Sequence, residues 1–271
     1  MWGSANATPL LALHGWLDNA ATFNRLAPLL RGFRLVAPDF PGHGLSEHLP
    51  TGMQYHFIGS VPVMVELVQQ LGWKRYGILG HSMGAAIGSL IAAIQPKEVT
   101  GLFLIDSIGP MSDSAEQNVA RLEQFVRRWV KEPSRATPRI FRDKDEMVQA
   151  RQKVAAISAE GAHHLIERGA QKVDGGYTWR SDPRLTLPSS LRMTEEQVLA
   201  FLQKIHCPTK ILWATEGLPG RLPYIKDQLE KRCQAVPQLE QQRLEGGHHL
   251  QLDTPESVAP AVQAFFDGLQ N

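Results

Sequence analysis

Tyr76-Gly77-Ile78-Leu79-Gly80-His81-Ser82-Met83-Gly84 is the stretch from which the rest of the chain is read. Its first half is a short apolar run of strand type. Its second half matches G-x-S-x-G and opens a small-residue helical run, Ala85 to Ile94. Strand, sharp turn, helix is the context in which such a serine is exposed above the edge of a sheet. Glycines at 80 and 84 let the flanking elements approach without Cβ clashes. The bare string is common, and a serine there also serves as a helix N-cap. The strand before it and the helix after it favour Ser82 as a nucleophile.

Outward from this turn, short apolar runs alternate with segments of helical period. Leu10–Leu13, Phe33–Ala37, Tyr76–Leu79, Val99–Ile105, Thr209–Ala214 and, more weakly, Leu239–Leu244 read as strands. Asn19–Leu30, Val61–Leu71 and Ala85–Ile94 read as helices. So does the C-terminal segment, with Thr254 as N-cap, Pro255 at the first helical position, and Val258, Val262, Phe265, Phe266 and Leu269 as the buried stripe. Such alternation predicts an α/β fold, a mostly parallel sheet with helices on both faces. Leu102-Phe103-Leu104-Ile105 is apolar on both sides, as a doubly covered strand requires.

Between about Gly109 and His206 the alternation stops and the pattern turns helical and more charged. Val119, Leu122, Val126 and Trp129 repeat at helix spacing, Thr194 to Gln197 forms a capping box, and Pro133, Pro138, Pro183 and Pro188 interrupt the segment. The expected organisation is a core made of residues 1–108 and 207–271, with residues 109–206 as a helical lid inserted after the strand that ends near Asp106.

Composition narrows the function classes. With 28 Lys+Arg against 27 Asp+Glu the net charge is +1, which lacks the basic surface of a nucleic-acid binder. Hydrophobic residues make up 43% and charged residues 20%, as in a globular chain. The longest apolar stretch, Gly84 to Ile94, is far short of the roughly 20 residues a membrane helix needs. Two cysteines, Cys207 and Cys233, are too few for a disulfide framework, and a reduced pair in a cytoplasmic protein is the expectation. No His/Asp/Glu cluster has metal-ligand spacing and no glycine loop reads as a phosphate cradle, so neither metal nor cofactor is expected.

A serine hydroxyl near pH 7 needs a base, and the base needs an orienting acid. Glu245-Gly246-Gly247-His248-His249 follows the last strand, where a loop can deliver an imidazole; His248 is favoured and His249 is the alternative. Asp106, leaving the end of the Leu102–Ile105 strand, is the favoured acid. Glu216, after the Ile211–Ala214 strand, is the alternative. The main-chain N–H groups of Met83 and of Trp16, in His14-Gly15-Trp16, are the expected oxyanion donors. That role would leave the Trp16 side chain free to wall an acyl pocket. The turn Asp39 to Ser46 reads as structural, with Asp39 bonding loop N–H groups and His43 an unfavoured base. His163-His164 reads as lid surface.

Taken together these residues resemble the α/β-hydrolase fold family over nearly the whole chain. His14-Gly15, the Asp39–Ser46 turn, Gly80–Gly84 and Gly247-His248 occur in that family's order. His14-Gly15-Trp16-Leu17-Asp18-Asn19-Ala20 and Glu167-Arg168-Gly169-Ala170-Gln171-Lys172-Val173 look like the serine hydrolase-like branch, which is similar to lid-bearing esterases and haloalkane dehalogenases. The resemblance implies a Ser-Asp-His triad, no cofactor and an inserted lid. It supports Asp106, which some lid-bearing relatives place after that strand. Three departures stand out. Gly217 falls near the usual acid position. Serine in place of aspartate at 82 disfavours a dehalogenase. Only nine residues precede Leu10, where the family has two further strands, so a segment of about twenty residues is expected to be missing and the sheet edge open.

The expected activity is hydrolysis of a small to medium, largely apolar carboxylic ester by a monomer or homodimer. The same triad could act on a thioester, lactone, amide or C–C bond, and a non-catalytic ligand-binding protein on the same scaffold is the rival class. Phe125, Trp129, Phe141 and Trp179 are candidates for shaping the pocket.

Overall fold

In the computed structural model, residues 1–131, 139–221 and 226–269 are described. Pro133 and Pro138 of the expected lid lie outside them. Six strands form one sheet in the order β2-β1-β3-β4-β7-β8, every pairing parallel. They are β1 (Thr8–Leu13), β2 (Phe33–Val36), β3 (Tyr76–His81), β4 (Val99–Ile105), β7 (Thr209–Glu216) and β8 (Leu239–Gly247). The helices of this layer are α1 (Ser60–Gln70), α2 (Met83–Ile94), α8 (Lys226–Ala235) and α10 (Pro255–Gly268), with the short α7 (Leu218–Arg221) and α9 (Leu250–Asp253).

Alternate strand residues point to opposite faces, and each face has its own core. Leu102 and Leu104 of β4 join Leu11, Leu13, Ile78 and Ile211 on one side, against α1 and α2. Phe103 and Ile105 join Leu10, Leu79, Leu212 and Phe266 on the other, against α10. The continuous apolar reading of β4 is therefore that of a strand buried on both faces.

Between β4 and β7 lie α3 (Gln117–Lys131), α4 (Lys144–Val154), α5 (Ala159–Gly169), the hairpin β5 (Ala170–Val173) with β6 (Gly176–Trp179), and α6 (Glu195–Leu202). This cap has its own core of Phe141, Met147, Ile157, Leu165 and Ile166. Phe141 is fully buried there, edge-on to Trp179, so it packs the cap and does not line a pocket. The capping box of Thr194 with Gln197 forms as its sequence specifies.

Several elements differ from their sequence reading. Asn19–Leu30 is no α-helix but two 3-10 turns, Ala20–Phe23 and Ala27–Leu29. Pro28 has no N–H to return to Asn24, and the Asn19 side chain caps Ala21, so the chain breaks into turns while still burying Phe23 and Leu26. Thr254 precedes α10 but its side chain bonds back to the Leu250 carbonyl and does not cap. The apolar stripe of α3 is not core: Val119, Leu122, Val126 and Val130 are exposed, while Phe125 and Trp129 lie against each other. The edge strand β2 is not bare, because Trp2 and Leu35 exchange two antiparallel main-chain hydrogen bonds of 3.0 Å. Among the described residues no helix is long and apolar enough to cross a membrane.

Candidate active site

The turn after β3 has the geometry its glycines require. Ser82 sits at φ 53°, ψ −116°, between the end of β3 and the first residue of α2. A Cβ on Gly84 would lie 2.1 Å from the Leu13 carbonyl oxygen, and one on Gly80 would lie 2.6 Å from Ala85 Cα. Only glycine lets the helix start this close to β1 and fold back on β3. Ser82 donates its own N–H to the Ile105 carbonyl, 3.1 Å away on β4, so its main chain is tied to the residue before Asp106.

Among the described non-glycine residues, a positive φ occurs at Leu17, Ser82 and Asp106 only. Each such residue costs on the order of 1–3 kcal/mol. This strain gathers at one sheet edge, on the candidate nucleophile, a candidate acid and the loop after β1.

Three of the expected residues meet there. His248 Nε2 lies 2.9 Å from Ser82 Oγ, and His248 Nδ1 lies 2.6 Å from Asp106 Oδ2. Asp106 is fully buried and its carboxylate accepts two further bonds, from the N–H of Ala214 at 3.1 Å and of Leu218 at 2.8 Å. With both oxygens bound, the carboxylate can turn only by breaking main-chain bonds. Burial lowers the pKa of His248 below that of a free imidazole, while the hydrogen bond to Asp106 acts against this.

The other acid candidate is not part of the chain of bonds. Glu216 is exposed at the end of β7, where it pairs with Gly247 of β8. The neighbouring Gly217 explains the choice sterically. A Cβ there would stand 2.2 Å from Asp106 Oδ1 and 2.3 Å from Oδ2. A side chain at 217 and the carboxylate of Asp106 compete for one space.

The loop after β1 is held rigidly. His14 donates from Nδ1 to the Gly15 carbonyl at 2.8 Å and accepts the Phe40 N–H on Nε2 at 3.0 Å, which fixes its tautomer. Asp39 takes the N–H of Ala20 at 2.6 Å and of Leu45 at 2.8 Å, as its turn suggested, and also pairs with Arg168 of the cap at 2.8 Å. His43 is buried, with its pKa lowered to about 3 by burial, and takes no part in the triad. Met83 is the first residue of α2, whose leading N–H groups have no partner in the helix. No hydrogen bond to the N–H of Met83 or Trp16 is found among the described residues. The Trp16 side chain is not free, however. Its indole N–H donates to the Leu185 carbonyl at 3.0 Å and ties this loop to the cap.

His249, the alternative base, faces away from Ser82. Its Nε2 lies 3.4 Å from Asp18 Oδ2, and His81 Nδ1 lies 3.6 Å from the same oxygen. Asp18, His81 and His249 are all buried, and Arg151 of α4 pairs with the other oxygen, Oδ1, at 2.5 Å. Burial raises the pKa of Asp18, but His249 and Arg151 outweigh it and hold the carboxyl well below the usual range. His163 is exposed, as read from the sequence. Cys207 and Cys233 are free and buried, and burial pushes both thiols up to about 11. A cleft of about 410 Å³ between Trp2, Asn24, His164 and Arg180 is lined by none of Ser82, Asp106 and His248.

Residues 8–255 match the alpha/beta hydrolase fold, and the chain belongs to that family. Within it the chain falls in the serine hydrolase-like branch. The Danio rerio protein called Serine hydrolase-like protein is 32% identical over 271 residues, spanning 98% of this chain and 83% of that protein. Among solved structures, a hypothetical protein of Pseudomonas aeruginosa PAO1 superposes with a TM-score of 0.91 at 38% identity, over 98% of this chain and 94% of that one. A thioesterase domain from the curacin biosynthetic pathway superposes with a TM-score of 0.81 at 27% identity, over 96% and 92%.

Proposed function

We propose that this serine hydrolase cleaves a small to medium, largely apolar carboxylic ester through an acyl-enzyme on Ser82. The observation that carries the reading is the unbroken relay Ser82 Oγ, His248, Asp106, at 2.9 and 2.6 Å.

Ser82 Oγ attacks the ester carbonyl while His248 Nε2 takes its proton. Asp106, ionised and bound by two main-chain N–H groups, keeps Nδ1 protonated and stabilises the imidazolium. The N–H groups of Met83 and Trp16 hold the oxyanion. The tetrahedral intermediate collapses, His248 gives its proton to the leaving alcohol, and Ser82 is left acylated. A water deprotonated by His248 then attacks the acyl carbon, and the carboxylic acid leaves as Ser82 recovers its proton.

A fluorophosphonate probe tests the nucleophile. One equivalent is expected on Ser82 in the folded protein, with loss of short-chain ester turnover. Folded protein that takes up a ligand but no probe would refute the relay as a catalytic device and return the chain to the ligand-binding reading. Thioesters form the second reading, supported by the 27% identical thioesterase domain. Parallel rates on one acyl group carried as an ester and as a thioester separate the two.

His248 must be neutral to accept the proton, and burial lowers its pKa. The acid limb of kcat/KM is therefore expected to have its midpoint below the ordinary imidazole value of about 6.5. A midpoint above that value would show that the relay's carboxylate outweighs burial.

A further inference from the structure

Behind the triad, the hydrogen-bond partners of two histidines determine which ring nitrogens carry protons. His81 Nε2 lies 2.9 Å from the main-chain oxygen of His248. A carbonyl only accepts, so this nitrogen carries hydrogen and Nδ1 of the neutral ring is a bare lone pair. His249 Nδ1 lies 3.4 Å from the Ala156 oxygen, and by the same argument Nε2 is bare. Both bare nitrogens face Asp18 Oδ2, at 3.6 and 3.4 Å. The three atoms all lie within 4.8 Å of one another. Asp18 Oδ2 and His81 Nδ1 are buried and have no hydrogen-bond partner among the described residues. With both rings neutral, three acceptors converge with no donor between them, so a positive charge, either a proton on an imidazole or a metal ion, must lie among them.

We propose that Asp18, His81 and His249 form a binding site for a divalent transition-metal ion of the zinc class. Two neutral imidazoles and one carboxylate are a ligand set such ions favour, and three protein ligands leave a fourth position open. The outer contacts fit as well. Each histidine donates its other ring N–H to a main-chain carbonyl, the usual way in which a ligating imidazole is oriented. Arg151 occupies Asp18 Oδ1 and leaves Oδ2 for the ion. Ligand atoms around a tetrahedral ion stand about 3.3 Å apart, given bonds of about 2.0–2.1 Å. The two separations from Asp18 are already near this figure.

Gly15 adds an independent sign. A Cβ there would stand 2.9 Å from Asp18 Oδ2 and 3.0 Å from His81 Nδ1. Only glycine keeps the approach to these two atoms open. A cavity of about 20 Å³, lined in part by Leu17, Asp18, Gly44 and Arg151, reaches Asp18 from the cap side. The sequence conceals the site because its ligands come from the loop after β1, the end of β3 and the loop after β8. Each lies beside a working residue: Asp18 two after Trp16, His81 next to Ser82, His249 next to His248.

The test is titration of the untagged full chain with cobalt(II) chloride, followed by its visible d–d absorption. This readout is independent of any ester activity. The wild type is expected to develop one equivalent of the intense bands of a four-coordinate ion, and zinc chloride should displace them. Asp18→Asn and His249→Gln should each lose the bands, while His248→Ala should keep them. Circular dichroism identifies which variants are folded; if Asp18→Asn is not, His249→Gln decides. Wild-type protein that gives no one-equivalent band would overturn the proposal and leave the cluster held by a proton. Bands that survive in folded His249→Gln, or that vanish in His248→Ala, would also overturn it, since the ion would then sit elsewhere or on the triad.

Discussion

Ser82→Ala is expected to lower kcat on a short-chain ester by about 10⁶-fold, close to the full contribution of the relay. At 25 °C this is about 8 kcal/mol of transition-state stabilisation. The loss should fall on kcat, because the hydroxyl acts in bond making and contributes little to holding the ground-state ester. Folding should be nearly untouched. The turn is held by the Ser82 N–H on the Ile105 carbonyl, by the Ala86 N–H on the Ser82 carbonyl, and by the close approaches at Gly80 and Gly84. The side chain contributes one hydrogen bond, to His248. Steady-state kinetics and a thermal melt check both halves: a drop of less than about 10²-fold, or a melt lowered as far as the rate, would mean that Ser82 is a structural residue.

Asp106→Asn is expected to cost about 10⁴-fold in kcat, the size seen when an amide replaces a triad carboxylate and favours the wrong imidazole tautomer. Asparagine would keep the shape but could offer an N–H where an acceptor is needed, either to His248 Nδ1 or to the N–H groups of Ala214 and Leu218. Glu216→Gln should change kcat by less than about threefold, since that side chain is exposed and outside the relay. Kinetics on the two variants side by side rank the acids; equal or reversed effects would move the acid to 216. Gly217 sharpens the argument, because the space a side chain would need there is filled by the carboxylate of Asp106.

How much of this could be read from sequence depended on locality. Ser82 was legible because its strand, turn and helix lie within some twenty consecutive residues. The meeting of His248 and Asp106 with Ser82 was legible because each follows a strand of the sheet, and residues at the strands' carboxyl ends converge on one edge. The acid stayed open between Asp106 and Glu216, since spacing alone cannot tell which carboxylate turns inward. Local period misled at Asn19–Leu30, where Pro28 and the Asn19 cap favoured tight turns. It also misled at α3, where an apolar stripe identifies a face without saying whether anything packs on it. The grouping of Asp18, His81 and His249 was not legible. They are 63 and 168 residues apart in sequence, and only the assembled sheet edge makes them neighbours.

The Ser82 N–H on the Ile105 carbonyl has a further consequence. Ser82 and Asp106 issue from adjacent rungs of one ladder, so their separation is set by the inter-strand spacing of about 4.8 Å and not by loops. Only the imidazole arrives from elsewhere. Descendants of this chain could therefore remodel residues 109–206 to suit new acyl groups without moving Ser82 relative to Asp106, provided the ties of the cap to the loop after β1 through Leu185 and Arg168 are kept. What they would have to inherit unaltered is the short path from β8 that carries His248 home.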